Sequence, residues 1–269
     1  MKLIKSVSAL LLLVGLNTFA QEQEDPENVG DNFSLEATLE VFKQSSNLEE
    51  FEQKLNEESQ NTNNLDLNQD GEVDYISVES LKDGDNHSIV LFTYLDENER
   101  QDIAVIEIEK TGDEEAVLQI LGDEDLYASH TIVEPVDVSE QTESGSGPAI
   151  QNAPTRIVVN VWTWKPIRFI FSPSYRIWIS PYRWHVYPKW WKPWRPIKHH
   201  VFYTRCAPHR VIYHRTTVHR VVKAHKVYTP HRKSSTLVVK NGRKTTVVHK
   251  NKKGNVKAVK VKRNSGKRK

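Results

Sequence analysis

From residue 144 to Lys269 this chain contains no Asp or Glu; all 35 acidic residues lie between Glu22 and Glu143. That acidic window holds only five basic residues, Lys43, Lys54, Lys82, Arg100 and Lys110, a balance of −30. After it come 30 of the 37 Lys and Arg and nine of the 11 His. The formal charge of +2 therefore hides two halves of large and opposite charge, a pattern that points to association and partners. Only 38% of residues are hydrophobic, so part of the chain is expected to lie outside a packed core. The single Cys excludes a disulfide scaffold, a Cys-based zinc site and an iron–sulfur site within one chain.

Residues 1–20 have the pattern of a secretory signal peptide. Lys2 and Lys5 form a positive start, Ala9–Leu16 a short apolar run, and Thr18-Phe19-Ala20 a small-residue cleavage site. The run is too short to span a bilayer comfortably and no basic stop-transfer segment follows. The expected location is the periplasm, the outer-membrane surface or the extracellular space. Residues 21–33 are polar and acidic and are expected to be disordered.

Residues 34–137 are expected to form an acidic α+β domain. Leu35, Leu39 and Phe42 recur at helical spacing, and so do Leu48, Phe51 and Leu55; Ser46 with Glu49, or Asn47 with Glu50, supplies a capping box for the second helix. The period then shortens. Strands are predicted at Val73–Val78, Ser88–Leu95, Ile103–Glu109 and Ala116–Leu121, with turn chemistry at Asp83-Gly84-Asp85-Asn86, Asp96–Glu99 and Thr111-Gly112-Asp113. Short connectors imply a four-stranded antiparallel meander with two short helices on one face.

Between helices and strands stands Asp66-Leu67-Asn68-Gln69-Asp70-Gly71-Glu72-Val73-Asp74. Oxygen ligands two residues apart point into one concave turn, and Gly71 at the sixth position permits the bend. Ca²⁺ takes six to eight oxygens, which assigns the Asp66, Asn68, Asp70 and Asp74 side chains and the Glu72 carbonyl as ligands. The twelfth position, a bidentate Glu in an EF-hand, is Ser77 here, and the exit reads as a strand. Glu79 and Asp123-Glu124-Asp125 are candidates to complete the shell. The bland alternative is a metal-free Asx-rich turn.

Residues 138–155 have the composition of a flexible linker. In residues 156–203 lie all seven Trp, interrupted by six Pro, and strands are predicted at Arg156–Trp164, Ile167–Phe171 and Tyr175–Ser180. Three readings compete: a folded β-hairpin module with an aromatic core, an interfacial membrane element, and a stacking platform for single-stranded nucleic acid or sugar. Trp190, Trp191, Lys192, Trp194 and Arg195, which interleave indoles with cations, are the candidate anion- or membrane-binding residues, together with Arg210, Arg215 and Arg220.

Residues 204–269 form a basic region. Its first part pairs each His with a cation at offsets of five or six residues, as in His209-Arg210, His214-Arg215, His219-Arg220, His225-Lys226 and His231-Arg232. The neighbouring cations oppose a metal's charge, which favours a polybasic tract over a metal site. Cys206 has no evident base or orienter that would make it a nucleophile. Further on, Asn241-Gly242 between Leu237–Val239 and Thr245–Val248 signals a hairpin, Val256–Val261 another strand, and the end a disordered Lys/Arg tail.

Taken together, LDLNQDGEVDYI, QDIAVIEIEKTGDEEAVLQILGDEDLY, VNVWTWKPIRFIFSP and WISPYRWHVYPKWWKPWRP resemble a family of exported Bacteroidetes proteins with an EF-hand-like DxNxDG loop and a Trp/Pro/Arg-rich basic half. The resemblance implies export in a Gram-negative bacterium and carries over no functional residues. With no nucleophile–base pair or paired catalytic carboxylates in view, the expectation is a non-enzymatic envelope protein. Its acidic domain would bind Ca²⁺. Its basic half would associate with anionic polysaccharide, lipopolysaccharide or a membrane surface, or non-specifically with nucleic acid. The alternative is self-association, in which the acidic and basic halves neutralise each other.

Overall fold

The computed structural model describes residues 28–128, 130–136 and 159–234, and the backbone of strands 236–241, 244–250 and 256–263. The signal-peptide reading, most of the acidic N-terminus, the linker reading and the expected disordered tail fall outside the described residues. Two helices, α1 (Leu35–Gln44) and α2 (Leu48–Leu55), open the fold. Ser34 Oγ accepts from Ala37 N at 3.2 Å and Asn47 Oδ1 from Glu50 N at 2.8 Å, so each helix starts at a side-chain cap. The Glu50 carboxylate reaches back to Ser46 N at 2.8 Å. All six apolar residues of the predicted helical stripes are buried, with Phe42 and Phe51 edge-to-face at 5.1 Å. Each such side chain contributes roughly 1.5–3 kcal/mol by leaving water.

The sheet has six antiparallel strands rather than four. They are β1 (Ser77–Asp83), β2 (Asn86–Tyr94), β3 (Arg100–Gly112), β4 (Glu115–Gly122), β5 (Ile132–Pro135) and β6 (Tyr213–Thr216), in spatial order of their numbers. The predicted first strand begins four residues early, because Val73–Ile76 are used to close the acidic loop. Asp74 N donates to Leu65 O at 2.8 Å, and Asn56 holds both backbone groups of Ile76 through its side-chain amide. The turn at Asp83–Asn86 is a tight hairpin, with Gly84 at φ +56° where a side chain would be strained. β6 belongs to the basic half and pairs along β5 from Ile132↔Thr216 to Pro135↔Tyr213.

One face of the sheet carries the apolar core. Ile89, Leu91, Ile106, Ile108, Leu118 and Ile120 pack with α1 and α2, and Val161, Trp164, Ile167, Ile170 and Tyr175 join the same cluster. The aromatic region is therefore not a separate β-hairpin module. Its predicted strand Ile167–Phe171 is instead part of a helix, α3 (Lys165–Ile170), with Pro166 in the first turn, where its missing N–H costs nothing. Arg156–Trp164 is not a strand over its described residues, and Tyr175–Ser180 contributes a single bridge, Ile179 to Glu79. α4 (His199–Arg205) follows.

The second face is not bare. Ser88 faces Glu107, Glu107 faces Gln119, and Glu134 faces His214 across their strand pairs. These polar residues are covered by the segment after β6 and by α5 (Val222–Tyr228), so helices lie on both faces of the sheet. Glu109 Oε1 accepts from Lys223 N at 2.6 Å and Ala224 N at 3.2 Å, satisfying the start of α5. At its end Tyr228 OH donates to Asp102 Oδ2 at 3.2 Å, and Lys233 N does so at 2.8 Å. Beyond residue 235, β7 (Thr236–Asn241), β8 (Lys244–Lys250) and β9 (Val256–Arg263) form a three-stranded antiparallel sheet containing the predicted hairpin.

On the apolar face His87 is fully buried between Phe171 and Tyr175, with ring centroids at 4.9 and 5.6 Å. Neither ring nitrogen has a hydrogen-bond partner among the described residues, and burial pushes the imidazole pKa down to about 4. A base whose folded pKa is depressed stabilises the fold above its unfolded value and loses that contribution as pH falls. The expected loss between pH 6.5 and 4 is about 3 kcal/mol. His87→Leu should show a smaller drop in melting temperature than wild type between pH 7 and 4.5; equal drops would show that the ring takes up its proton in place.

Candidate functional site

The acidic loop folds as a series of Asx-type turns. Asp66 Oδ2 accepts from Gly71 N at 3.1 Å, Asn68 Oδ1 from Asp70 N at 2.9 Å, and Asp70 Oδ1 from Glu72 N at 2.8 Å. Gln69 (φ +62°) and Gly71 (φ +92°) turn the chain through the left-handed region, as the motif requires. Asp74 ends the loop buried, with Oδ2 accepting from Leu67 N at 2.6 Å. Burial holds its carboxyl well above the usual carboxylate range, and the facing carboxylates of Asp66 and Asp70 push it further. The spacing thus brings three carboxylates and an amide oxygen to one turn, with the Glu72 backbone at its exit.

The candidates for completing the shell are committed elsewhere. Glu79 is paired with Arg100 at 2.5 Å on the second face of the sheet. Asp123, Glu124 and Asp125 all bind Arg232, at 2.7, 3.1 and 2.9 Å. Ser77 is buried in β1.

The Trp-rich segment closes over this loop. Val73 N donates to the Trp194 carbonyl at 2.8 Å, which ties the loop exit to the indole-rich run. Tyr75 meets Tyr182, Tyr187 and Trp191 at centroid distances of 5.6, 5.4 and 5.1 Å. Between loop and segment lies a cavity of about 330 Å³ lined by Asn68, Asp70, Glu72 and Asp74 on one side and Trp184, His185, Tyr187 and Trp191 on the other. The buried Trp191 indole N–H has no acceptor among the described residues. Trp190, Lys192 and Arg195 are exposed near this wall, and Trp194 is half-buried. Lys192 and Arg195 make no ion pair among the described residues.

Glu52 on α2 holds the same segment in place. Its carboxylate accepts from Tyr75 OH (3.0 Å), Val78 N (3.1 Å), Trp178 Nε1 (2.9 Å) and Ser180 Oγ (2.6 Å). Backbone bonds from Ser80 N to Trp178 O and from Ser180 N to Val78 O cover the outer edge of β1. Nothing in the helical spacing of α2 marked Glu52, because its partners lie up to 128 residues away.

The three candidate arginines of the basic region are not gathered around the cavity. Arg215 pairs with the buried Glu36 at 2.6 Å and Arg220 with Glu134 at 3.2 Å. Arg210 stacks on Tyr203 at 3.4 Å and donates to its carbonyl at 2.8 Å. Cys206 is buried, its thiol donating to Asn61 O at 3.2 Å, and burial raises its pKa.

Glu52→Gln would set an amide NH₂ against two of the four donors. The expected cost is about 2–4 kcal/mol at unchanged denaturant slope, measured by urea unfolding. A loss below about 0.5 kcal/mol, the usual surface value, would show that the clamp is dispensable.

No helix among the described residues is long and apolar enough to cross a membrane. No protein-family model, no curated protein and no solved structure matches this chain.

Proposed function

We propose that this chain is an exported, non-enzymatic envelope protein that binds Ca²⁺ at Asp66, Asn68, Asp70, Glu72 and Asp74 and grips an anionic polysaccharide in the adjoining aromatic cavity. The observation that carries this reading is the meeting of the carboxylate loop with Trp184, Tyr187 and Trp191 around one 330 Å³ space. Three crowded carboxylates, one buried, favour a hard cation that offsets their repulsion. Flat aromatic faces suit sugar rings, a donor at Trp191 Nε1 awaits an acceptor, and Lys192 and Arg195 add positive charge at the rim. An acidic sugar's carboxylate also supplies oxygen to a Ca²⁺ whose shell this loop leaves incomplete.

A second reading rests on Arg215, Arg220 and Arg232: the basic segment serves as the acidic sheet's own counter-charge. The two readings divide the cations between them. Arg215, Arg220 and Arg232 are paired with carboxylates of the acidic half, and Lys192 and Arg195 remain for a partner.

Calcium binding to the native state alone raises the melting temperature, by about 2.7 kcal/mol of added stability at a hundredfold excess over Kd. Asp70→Ala should abolish the rise. The same melt in EGTA and in millimolar Ca²⁺ would reduce the loop to a turn. Polygalacturonate is the probe for the cavity. Trp191→Ala should weaken its binding about tenfold, and EGTA should weaken it in wild type. Binding unchanged by both would remove the cavity from the proposal.

A further inference from the structure

The second face of the sheet holds a cluster of another chemistry. Glu107 of β3 has a fully buried side chain, and each of its oxygens meets an imidazole from the basic segment. His219 Nε2 lies 2.7 Å from Oε2 and His225 Nδ1 2.6 Å from Oε1. One ligand atom from each of the three residues falls within 4.8 Å of the others, and the two rings stand at 87° with centroids 4.7 Å apart.

We propose that Glu107, His219 and His225 form a binding site for a divalent transition-metal ion of the Zn²⁺ class. Two imidazole nitrogens and one carboxylate oxygen match Zn²⁺, whereas Ca²⁺ and Mg²⁺ demand oxygen. Around a tetrahedral Zn²⁺, with bonds of about 2.0–2.2 Å, ligand atoms sit roughly 3.3 Å apart. That is about 0.6–0.7 Å wider than the present hydrogen-bonded spacings of 2.7 and 2.6 Å. His219 and His225 are on the outer layer, with 24% and 39% of their side chains exposed, and have room to give that distance. Their exposed side leaves a fourth position to water.

The ligands are positioned before any ion arrives. Glu109 holds the first turn of α5 through Lys223 N and Ala224 N, and Ser88 Oγ donates to Ala224 O at 2.6 Å, so the backbone next to His225 is anchored to β2 and β3. The cation beside each imidazole does not occupy the site: Arg220 is bound to Glu134, and Lys226 is exposed. Glu107 raises the His225 pKa, and Glu124 adds to that field. An entering ion takes the place of the imidazole–carboxylate hydrogen bonds, and any proton it displaces leaves to solvent. Bound there, it joins residues 112 and 118 positions apart in the chain, a cross-link between the acidic sheet and the basic segment.

The test uses the full chain stripped with a chelator, then dialysed against Zn²⁺ in the presence of millimolar Ca²⁺, with metal content measured per chain. Co²⁺ absorption in the visible range reports tetrahedral nitrogen–oxygen coordination. Wild type should retain about one equivalent, and His219→Gln/His225→Gln should lose at least about a hundredfold in affinity, the upper end of what even indirect partners of a metal cost. His209→Gln/His231→Gln, in the same tract, should bind as wild type. Near-UV circular dichroism checks that the variants fold; if the double variant does not, His219→Gln alone carries the comparison. No stoichiometric uptake by wild type, or equal affinity in the folded His219 variant, would overturn the proposal and leave a hydrogen-bonded network. The calcium loop plays no part in this outcome, because Ca²⁺ is present throughout.

Discussion

Carboxylates on the second face of the sheet need cover that their own half of the chain supplies only in part, through Arg100 at Asp102 and Gln119 at Glu134. Asp102, Glu107, Glu109 and Glu134 are each no more than 9% exposed. An uncompensated charge in such a place costs several kcal/mol. Arg100 reaches Asp102, but the other three carboxylates are met by groups from residues 219–225. Part of the charge segregation in the sequence is met inside the molecule, where His219, Arg220 and His225 reach the carboxylates of β3 and β5. These contacts are hydrogen-bonded and sheltered, so added salt screens them less than it would surface pairs.

The opposite face solves an unrelated problem by ordinary means. There the helices and the aromatic segment share one apolar cluster, and among the polar groups it engulfs His87 is left unbonded while Glu52 is met by four donors. Glu52 is the main one, and burial raises its pKa despite four donors. Its role is geometric: one carboxylate fixes the spacing between α2, β1 and the Trp178–Ser180 stretch. Tyr75, one of its four donors, also lines the cavity beside the acidic loop.

Local pattern revealed the elements whose partners are close in sequence. The stripes Leu35/Leu39/Phe42 and Leu48/Phe51/Leu55 gave α1 and α2, and alternation with polar turns marked β2, β3 and β4. The loop was legible from ligand spacing alone, and its turn geometry follows the motif. The aromatic wall across from it was not, because Tyr75 and Trp191 meet only in three dimensions. α3 was misread because β-branched and aromatic residues favour strands locally, while Pro166 and burial against α1 decide for helix. α5 did leave a trace: Val221, Ala224 and Tyr228 recur at i, i+3 and i+7 and are all buried. The density of His and Lys around them masked it. In β3 the alternation of Ile106 and Ile108 with Glu107 and Glu109 marks a two-faced strand, and only the tertiary structure shows that the charged face is covered too.

The pairing of β5 with β6 bears on how the chain reaches this state. β5 ends at Pro135 and β6 begins at Tyr213, so the sheet is completed only after a long stretch has been laid down. Closing so large a loop is entropically slow, and contacts of this separation come late. Until they form, β5 is an open edge and the β3 carboxylates face water. A chain at this stage carries the acidic half's charge unopposed by the segment after β5. Its mutual repulsion protects it from pairing with its own copies, and the cationic segment that removes the repulsion arrives tethered to the same molecule.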